Sequence, residues 1–288
     1  MKVALIGTGL MGRPMAERLL GANYELVAFN RTHEKAEPLR ALGADVAKSA
    51  HEAIQMSDCI ISMLTDAPAS RDVLFPKGLH PELSGRTVIQ MGTISPTESM
   101  ALNNEVSRVG GDYFEAPVLG SIPEAKSGKL IVTVGASSGQ FDRWLDLLKC
   151  FGPNPVLVGK VGQAAGLKLA MNQLIASLTA AFALSLGFVQ RKGIDRELFM
   201  EILRESALYA STFDRKLKRM VERDYSNPNF PTKHLAKDID LFLTEAKSAH
   251  LETVGLEGVH TLIARTLDQG LIATDYSAIF DVVNPSDR

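Results

Sequence analysis

Residues 1–12 read MKVALIGTGLMG, and the fold turns on them. KVALI (2–6) is a short apolar run of strand length, and the turn Gly7, Thr8, Gly9, Leu10, Met11, Gly12 follows it directly. MGRPMAERLL then takes up helical spacing. Strand, glycine-rich turn and helix in that order are the context in which G-x-G-x-x-G becomes a dinucleotide-binding turn. Gly7 allows the tight turn, Gly9 lets a pyrophosphate approach the backbone, and Gly12 permits close helix–strand packing. The unpaired N–H groups of the helix start then face the anion.

The same alternation runs on. ELVAF (25–29), CIISML (59–64) and TVIQM (87–91) read as near-continuous apolar strands of a parallel sheet covered on both faces. HEKAEPLRAL (33–42) and the run from Ser95 to Arg108 have helical spacing, the latter with N-caps at Ser95 or Thr97. DYFEAPV (112–118) and LIVTVG (130–135) add two strands, separated by the Gly/Pro/Ser-rich loop LGSIPEAKSGK (119–129). This βαβ order predicts an α/β fold with a doubly wound, Rossmann-type parallel sheet and right-handed crossovers. After about Gly159 strand patterns stop, and helical patterns continue to the end, broken at RKGID (191–195), DYSNPNFP (224–231) and VGLEG (254–258). The expected division is a dinucleotide-binding domain over 1–161 and an all-helical domain over 162–288.

Composition narrows the function classes. The chain has 288 residues, 45% hydrophobic and 22% charged, with a formal net charge of −2. That balance speaks against a nucleic-acid or membrane-surface partner. Cys59 and Cys150 lie far apart without metal-ligand spacing, so no metal site is expected, and a reducing cytoplasm fits. Glycines follow the first apolar run too early for a signal peptide. Residues 169–190 carry no charge over a bilayer-spanning length. Asn172, Gln173, Ser177, Thr179, Ser185 and Gln190 are spread along that run and Lys168 leads it, which suits a helix buried between domains or subunits.

Two short stretches carry the chemistry. At the end of the second strand an NAD site would place Asp or Glu to accept from the ribose hydroxyls. Here the residues are Asn30, Arg31 and Thr32. Arg31 can pair with a 2′-phosphate and Asn30 and Thr32 can donate to it, so the expected cofactor is NADP(H). In AGLKLAMNQL (165–174), Lys168 and Asn172 are four apart and share a helix face at the junction of the two halves. A buried cation is costly unless it is paired or used. Placed in a cleft, Lys168 can protonate a carbonyl oxygen as hydride arrives, and Asn172 can orient the lysine or the substrate. His234 and Glu115 receive structural readings, Glu115 as a strand-end residue at the cleft edge.

GTGLMGRPM, APVLGSIPEAKSGKL, GQAAGLKLAMNQL and FPTKHLAKD together resemble the β-hydroxyacid dehydrogenases, the 3-hydroxyisobutyrate dehydrogenase family, and most of all its glyoxylate/succinic semialdehyde reductase branch. The resemblance spans essentially the whole chain. It implies a long interdomain helix, a dimer or tetramer, a small carboxylate-bearing carbonyl substrate, and catalytic roles for Lys168 and Asn172. It also implies that Met63, Leu64, Thr93 and Lys237 contact the cofactor, and that Phe230 and Asp238 close over the substrate. One departure stands out. The family's substrate loop opens with a donating serine, where this chain has Leu119 before Gly120 and Ser121. Leucine cannot donate, so carboxylate binding falls to backbone N–H groups and Ser121. The expectation is an NADPH-dependent reductase of small aldehyde or keto acids, or in reverse a hydroxyacid dehydrogenase. Alternatives are imine reduction on the same fold and a non-catalytic dinucleotide-binding scaffold.

Overall fold

Period-2 alternation puts successive strand residues on opposite faces, and where both faces are apolar the strand belongs in the middle of a sheet. β1 (Lys2–Ile6) meets that condition: Val3 and Leu5 join one buried cluster, Ala4 and Ile6 the other, and all four are fully buried. The computed structural model describes residues 1–79 and 82–286. The chain divides into two compact units, residues 1–168 and 169–288.

In the first unit β1 is followed by α1 (Gly12–Gly21), β2 (Glu25–Phe29), β3 (Asp45–Val46), α2 (Ala50–Gln55), β4 (Cys59–Ser62) and α3 (Ala67–Leu74). Next come β5 (Thr87–Gln90), α4 (Pro96–Arg108), β6 (Asp112–Glu115), β7 (Val118–Leu119), α5 (Ile122–Ser127), β8 (Ile131–Gly135), α6 (Ser138–Lys149) and β9 (Val156–Gly159). The sheet order is β3-β2-β1-β4-β5-β6-β8-β7, with β9 on β8. From β3 to β6 every pairing is parallel, the doubly wound order. β8 then runs antiparallel to β6 and β7.

Local chemistry explains where sequence periodicity misleads. DYFEAPV is two strands, because Pro117 has no N–H for a ladder. HEKAEPLRAL forms two 3₁₀ turns, His33–Lys35 and Glu37–Leu42, instead of an α-helix, since Pro38 interrupts the hydrogen-bond run. The expected loop 119–129 contains α5, which ends on Gly128 in the left-handed region. Ser95 caps α4 with a reciprocal bond to Glu98.

α7 (Gln163–Arg191) runs through the boundary into the second unit. There α8 (Arg196–Glu205), α9 (Ser211–Glu222), α10 (Thr232–Ser248), α11 (Val254–Asp268) and α12 (Ile279–Val283) follow. VGLEG does not break the chain, as α11 starts at Val254; the break comes earlier, where His250 turns left-handed at φ 58. The core gathers Phe182 and Phe213, stacked at 4.7 Å, with Met200, Met220, Ile239, Ile279 and Phe280.

That core also holds charge. Both carboxylate oxygens of Asp275 accept from Lys216 Nζ at 2.8 Å, and the ammonium lies 4.1 Å from the centre of the Tyr276 ring. Asp275 further accepts from the Ser277 N–H and hydroxyl. Burial pushes the Lys216 pKa down, and Asp275 pulls against it. Removing one member strands the other in an apolar medium. Asp275→Ala should therefore lower unfolding free energy by about 3–5 kcal/mol, read as a shifted urea midpoint.

Candidate active site

The glycine-rich turn is fixed by contacts that leave no room for side chains. A Cβ on Gly12 would stand 1.8 Å from the Gly7 carbonyl oxygen, and Gly7, at φ +101, would bring one to 2.4 Å from the Met63 oxygen. Gly9 is different: a Cβ there would meet nothing within 4 Å, so space lies open above the turn. Beside it is a cleft of about 760 Å³ lined by Thr8, Gly9, Leu10, Arg13, Pro14, Lys35, Ile122 and Lys126, with the carboxylates of Glu17 and Glu34. No side chain caps α1; the Gly9 carbonyl takes the Arg13 N–H and Pro14 has none, so the N–H groups of Leu10, Met11 and Gly12 remain for an anion. Thr8 Oγ1 is buried without a hydrogen-bond partner. Open space, uncapped helix and orphaned hydroxyl fit a bound dinucleotide phosphate.

The carboxyl ends of β1, β4 and β5 bring the other expected cofactor residues of this unit together. Met63 N–H donates to the Ile6 carbonyl, and Gly92 lies against Leu64, where a Cβ would be 2.3 Å from its carbonyl oxygen. Thr93 follows directly. Asn30 serves as a brace: its Oδ1 accepts from the Thr8 N–H at 3.1 Å and its Nδ2 donates to the Thr32 carbonyl at 2.9 Å. One of the two Nδ2 hydrogens is thereby engaged, and the second is the donor left for a 2′-phosphate. Arg31 is exposed and makes no hydrogen bond or ion pair among the described residues. Lys35, one short turn later, lines the cleft.

The substrate loop is also more occupied than expected. Ser121 donates both its N–H and its hydroxyl to Glu124 Oε2, each at 2.8 Å. The sequence reading gave those donors to a substrate carboxylate, yet a side chain of the same charge already holds them. Leu119 and Gly120 precede it, Gly120 at φ +123.

The start of α7 lies at the same edge of the sheet. Gly162 and Gly166 pack beside Pro96, the first residue of α4, and Glu115 at the end of β6 accepts from the N–H groups of Gly162 at 2.8 Å and Ala165 at 2.9 Å. Lys168 is half-buried on the next turn. In open α/β sheets ligands bind outside these carboxyl ends.

Within the second unit Asn172 and Asp238 are both buried, and Asn172 Nδ2 donates to Asp238 Oδ2 at 2.6 Å. A carboxylate demands a donor, which fixes the amide's orientation and leaves Asn172 Oδ1 as an acceptor with no partner. Lys237 Nζ is 2.8 Å from Asp238 Oδ1, a charge contact outside hydrogen-bonding alignment. Phe230 packs edge-on against Tyr276. His234 is half-buried one turn before Asp238, and burial pushes its pKa down. Being four apart on α7, Lys168 and Asn172 share a face.

Sequence reasoning missed Arg13, Lys35 and Lys126 as cleft residues. Arg13 and Lys35 follow recognisable motifs, whereas only the fold brings Lys126 to the turn. Among the described residues no group of acidic, His or Cys side chains could hold a metal.

Residues 2–159 match the family described as the NAD binding domain of 6-phosphogluconate dehydrogenase, and residues 162–283 that described as NAD-binding of NADP-dependent 3-hydroxyisobutyrate dehydrogenase. The chain is 32% identical to 2-hydroxy-3-oxopropionate reductase of Escherichia coli K12, over 97% of this chain and 96% of that one. It is 29% identical to glyoxylate/succinic semialdehyde reductase 2 of Arabidopsis thaliana, over 98% of this chain and 79% of that one. The fold is that of a solved 3-hydroxyisobutyrate dehydrogenase from Salmonella typhimurium, with a TM-score of 0.88 at 22% identity over 98% and 99% of the two chains. The chain belongs to the 3-hydroxyisobutyrate dehydrogenase family and is an NAD(P)-dependent oxidoreductase.

Burial pushes the Glu115 carboxyl above its ordinary value near 4.5, outweighing the donors around it. A raised folded-state pKa means the folded protein keeps this proton where the unfolded chain has lost it. The contribution is complete below pH 4.5 and fades as pH rises through the folded pKa. Urea midpoints measured upward from pH 4.5 should fall less steeply in Glu115→Gln than in the wild type.

Proposed function

We propose that this protein reduces small carboxylate-bearing aldehydes, glyoxylate and succinic semialdehyde among them, with NADPH as reductant and Lys168 as proton donor. The observation that carries the reading is the seat of Lys168, on the turn of α7 that follows its anchorage at the start of α4 and the end of β6.

Preference for NADPH is supported by what stands at the exit of β2. No carboxylate replaces Asn30 there to repel a 2′-phosphate, Arg31 has no competing partner among the described residues, and Lys35 lines the adjoining cleft. Glu34 lines it too, and its charge weakens the preference without removing it. The bound cofactor supplies the hydride. Gly7 to Gly12 would hold its pyrophosphate against backbone N–H groups, and Met63, Leu64 and Thr93 would line the cofactor cleft. Lys237 is assigned a cofactor contact by family likeness.

Lys168 holds a proton on Nζ and passes it to the carbonyl oxygen as charge develops there, or takes it back in the oxidative direction. Asn172 offers Oδ1 on the same helix face, with its amide held by Asp238. The substrate carboxylate is assigned to Thr93 and the turn Leu119–Gly120–Ser121, with Phe230 and Asp238 closing the site. There it must compete with Glu124, which already holds both the Ser121 N–H and its hydroxyl.

The second copy of this chain is the partner we assign to α7. Met171, Leu174, Leu178, Leu184 and Phe188 are exposed along it, at three- and four-residue steps except for the six between Leu178 and Leu184, and Leu198 and Ile202 are exposed on α8. From Met171 to Phe188 this stretch is about 26 Å long, and residues 169–190 hold no charge to oppose self-pairing. The same composition would suit a membrane span. Against that, Asn172 and Thr179 are buried and hydrogen-bonded within the unit.

NADPH oxidation should be seen with glyoxylate or succinic semialdehyde and should exceed that with NADH. Lys168→Ala should lower kcat by about 10²–10⁴-fold. Arg31→Ala should raise KM for NADPH by about 10–100-fold and leave KM for NADH nearly unchanged. Equal turnover by the Lys168→Ala enzyme would remove the mechanism. Light scattering should give a dimer or tetramer, and Leu184→Glu with Phe188→Glu a monomer; a monomeric wild type would refute the assignment.

A further inference from the structure

We infer that Glu115 is a positioning residue for Lys168: its carboxylate is the N-terminal cap of α7, supplied from β6, and it fixes the helical turn from which the lysine projects. The inference rests on the reading of Lys168 as proton donor.

A helix start leaves four N–H groups without partners, and a nearby Ser, Thr, Asp or Asn ordinarily meets one of them. At α7 the acceptor comes from 47 and 50 residues away in sequence. Glu115 Oε1 takes the N–H of Gly162 and that of Ala165, and Oε2 takes the Ser99 hydroxyl. Ser99 Oγ in turn lies 2.8 Å from the Tyr113 hydroxyl. Glu115 and Tyr113 are 1% exposed and Ser99 not at all. This is a closed polar network in an otherwise apolar interior, with every member satisfied.

The neighbouring chain is shaped around it. Gly135 faces Glu115 across the β6–β8 pair, and a Cβ there would stand 2.5 Å from Oε1, in the space the carboxylate needs. Gly162 holds φ +99, which directs its N–H onto the same oxygen. Three elements therefore meet at one carboxylate, and the helix it holds is the one that carries Lys168. Ala165 and Lys168 are three residues apart, about 4.5 Å along the axis. Loss of the cap would let the first turn fray, and displacement of a reacting group by an ångström can cost a factor of about 10² in rate.

Either protonation state of Glu115 keeps Oε1 as the acceptor of both N–H groups, so the role belongs to the oxygen's position and an amide can take it over. The experiment compares wild type with Glu115→Gln, Glu115→Leu, Gly135→Ala and Lys168→Ala. It reads kcat and KM for succinic semialdehyde, Kd for NADPH by fluorescence, and amide exchange over residues 160–168. Glu115→Leu should lose about 10²-fold in kcat while Kd for NADPH stays within about 3-fold, with fast exchange at 162–165. Glu115→Gln should recover kcat to within about 5-fold and restore slow exchange. Lys168→Ala should lose kcat with exchange still slow.

Wild-type kcat in Glu115→Leu beside an inactive Lys168→Ala would overturn this inference and leave the proton-donor reading intact. A fully active Lys168→Ala would overturn both. A Glu115→Gln enzyme as impaired as Glu115→Leu would show that charge, not position, is needed, and would overturn the capping argument. Should Glu115→Leu fail to fold, Gly135→Ala decides, because it displaces the carboxylate while leaving Glu115 in place; unchanged kcat and exchange there would refute the proposal.

Discussion

The contact between Gly12 and the Gly7 carbonyl governs the first unit. A helix crossing a strand end at that distance has no room for a methyl group, and the closeness brings α1 back onto β1 as a parallel crossover. Gly7 must then turn left-handed and pass under Met63, which ties the turn to β4. Gly92 repeats the device against Leu64 one strand further on. Three backbone approaches made possible by glycine thus align the ends of β1, β4 and β5 into one floor, and the open space over Gly9 is what that floor leaves uncovered.

Polar groups show where each unit is unfinished. Buried donors and acceptors in a folded protein are almost all paired, so the exceptions are informative. Thr8 Oγ1 in the turn and Asn172 Oδ1 on α7 are both buried and both orphaned. Each lies beside a satisfied neighbour: the Thr8 N–H is held by Asn30, and the Asn172 amide by Asp238. A backbone or side chain locked at one atom and left wanting at the next is organised for something outside the chain. In the Lys216–Asp275 pair, by contrast, every oxygen is engaged and the charges serve the core alone.

The Rossmann turn, the parallel strands and the long helix are legible in the sequence because each has a local signature in glycine spacing, apolar runs or a charge-free stretch. Lys168 and Asn172 are legible because helical spacing alone puts them on one face. What stayed hidden depends on contacts distant in sequence. Nothing around Asn30 says that its amide bridges Thr8 and Thr32, and nothing in SIPE beyond a common capping pattern says that Glu124 occupies the Ser121 donors. Glu115 reads as the last residue of a strand, since its partners are 47 and 50 residues further on. The antiparallel turn of β8 escaped because strand runs carry no direction.

The Asn30 brace has a consequence for how this chain can diverge. Aspartate at that position would still accept from Thr8, but it would lose the bond to the Thr32 carbonyl and set a charge beside the turn. Any drift in nucleotide preference through Asn30 therefore disturbs the backbone that every dinucleotide needs. Arg31 carries no such double duty. Descendants of this sequence that change their reductant should show it first at Arg31, with Asn30 changing only after the turn has found another support.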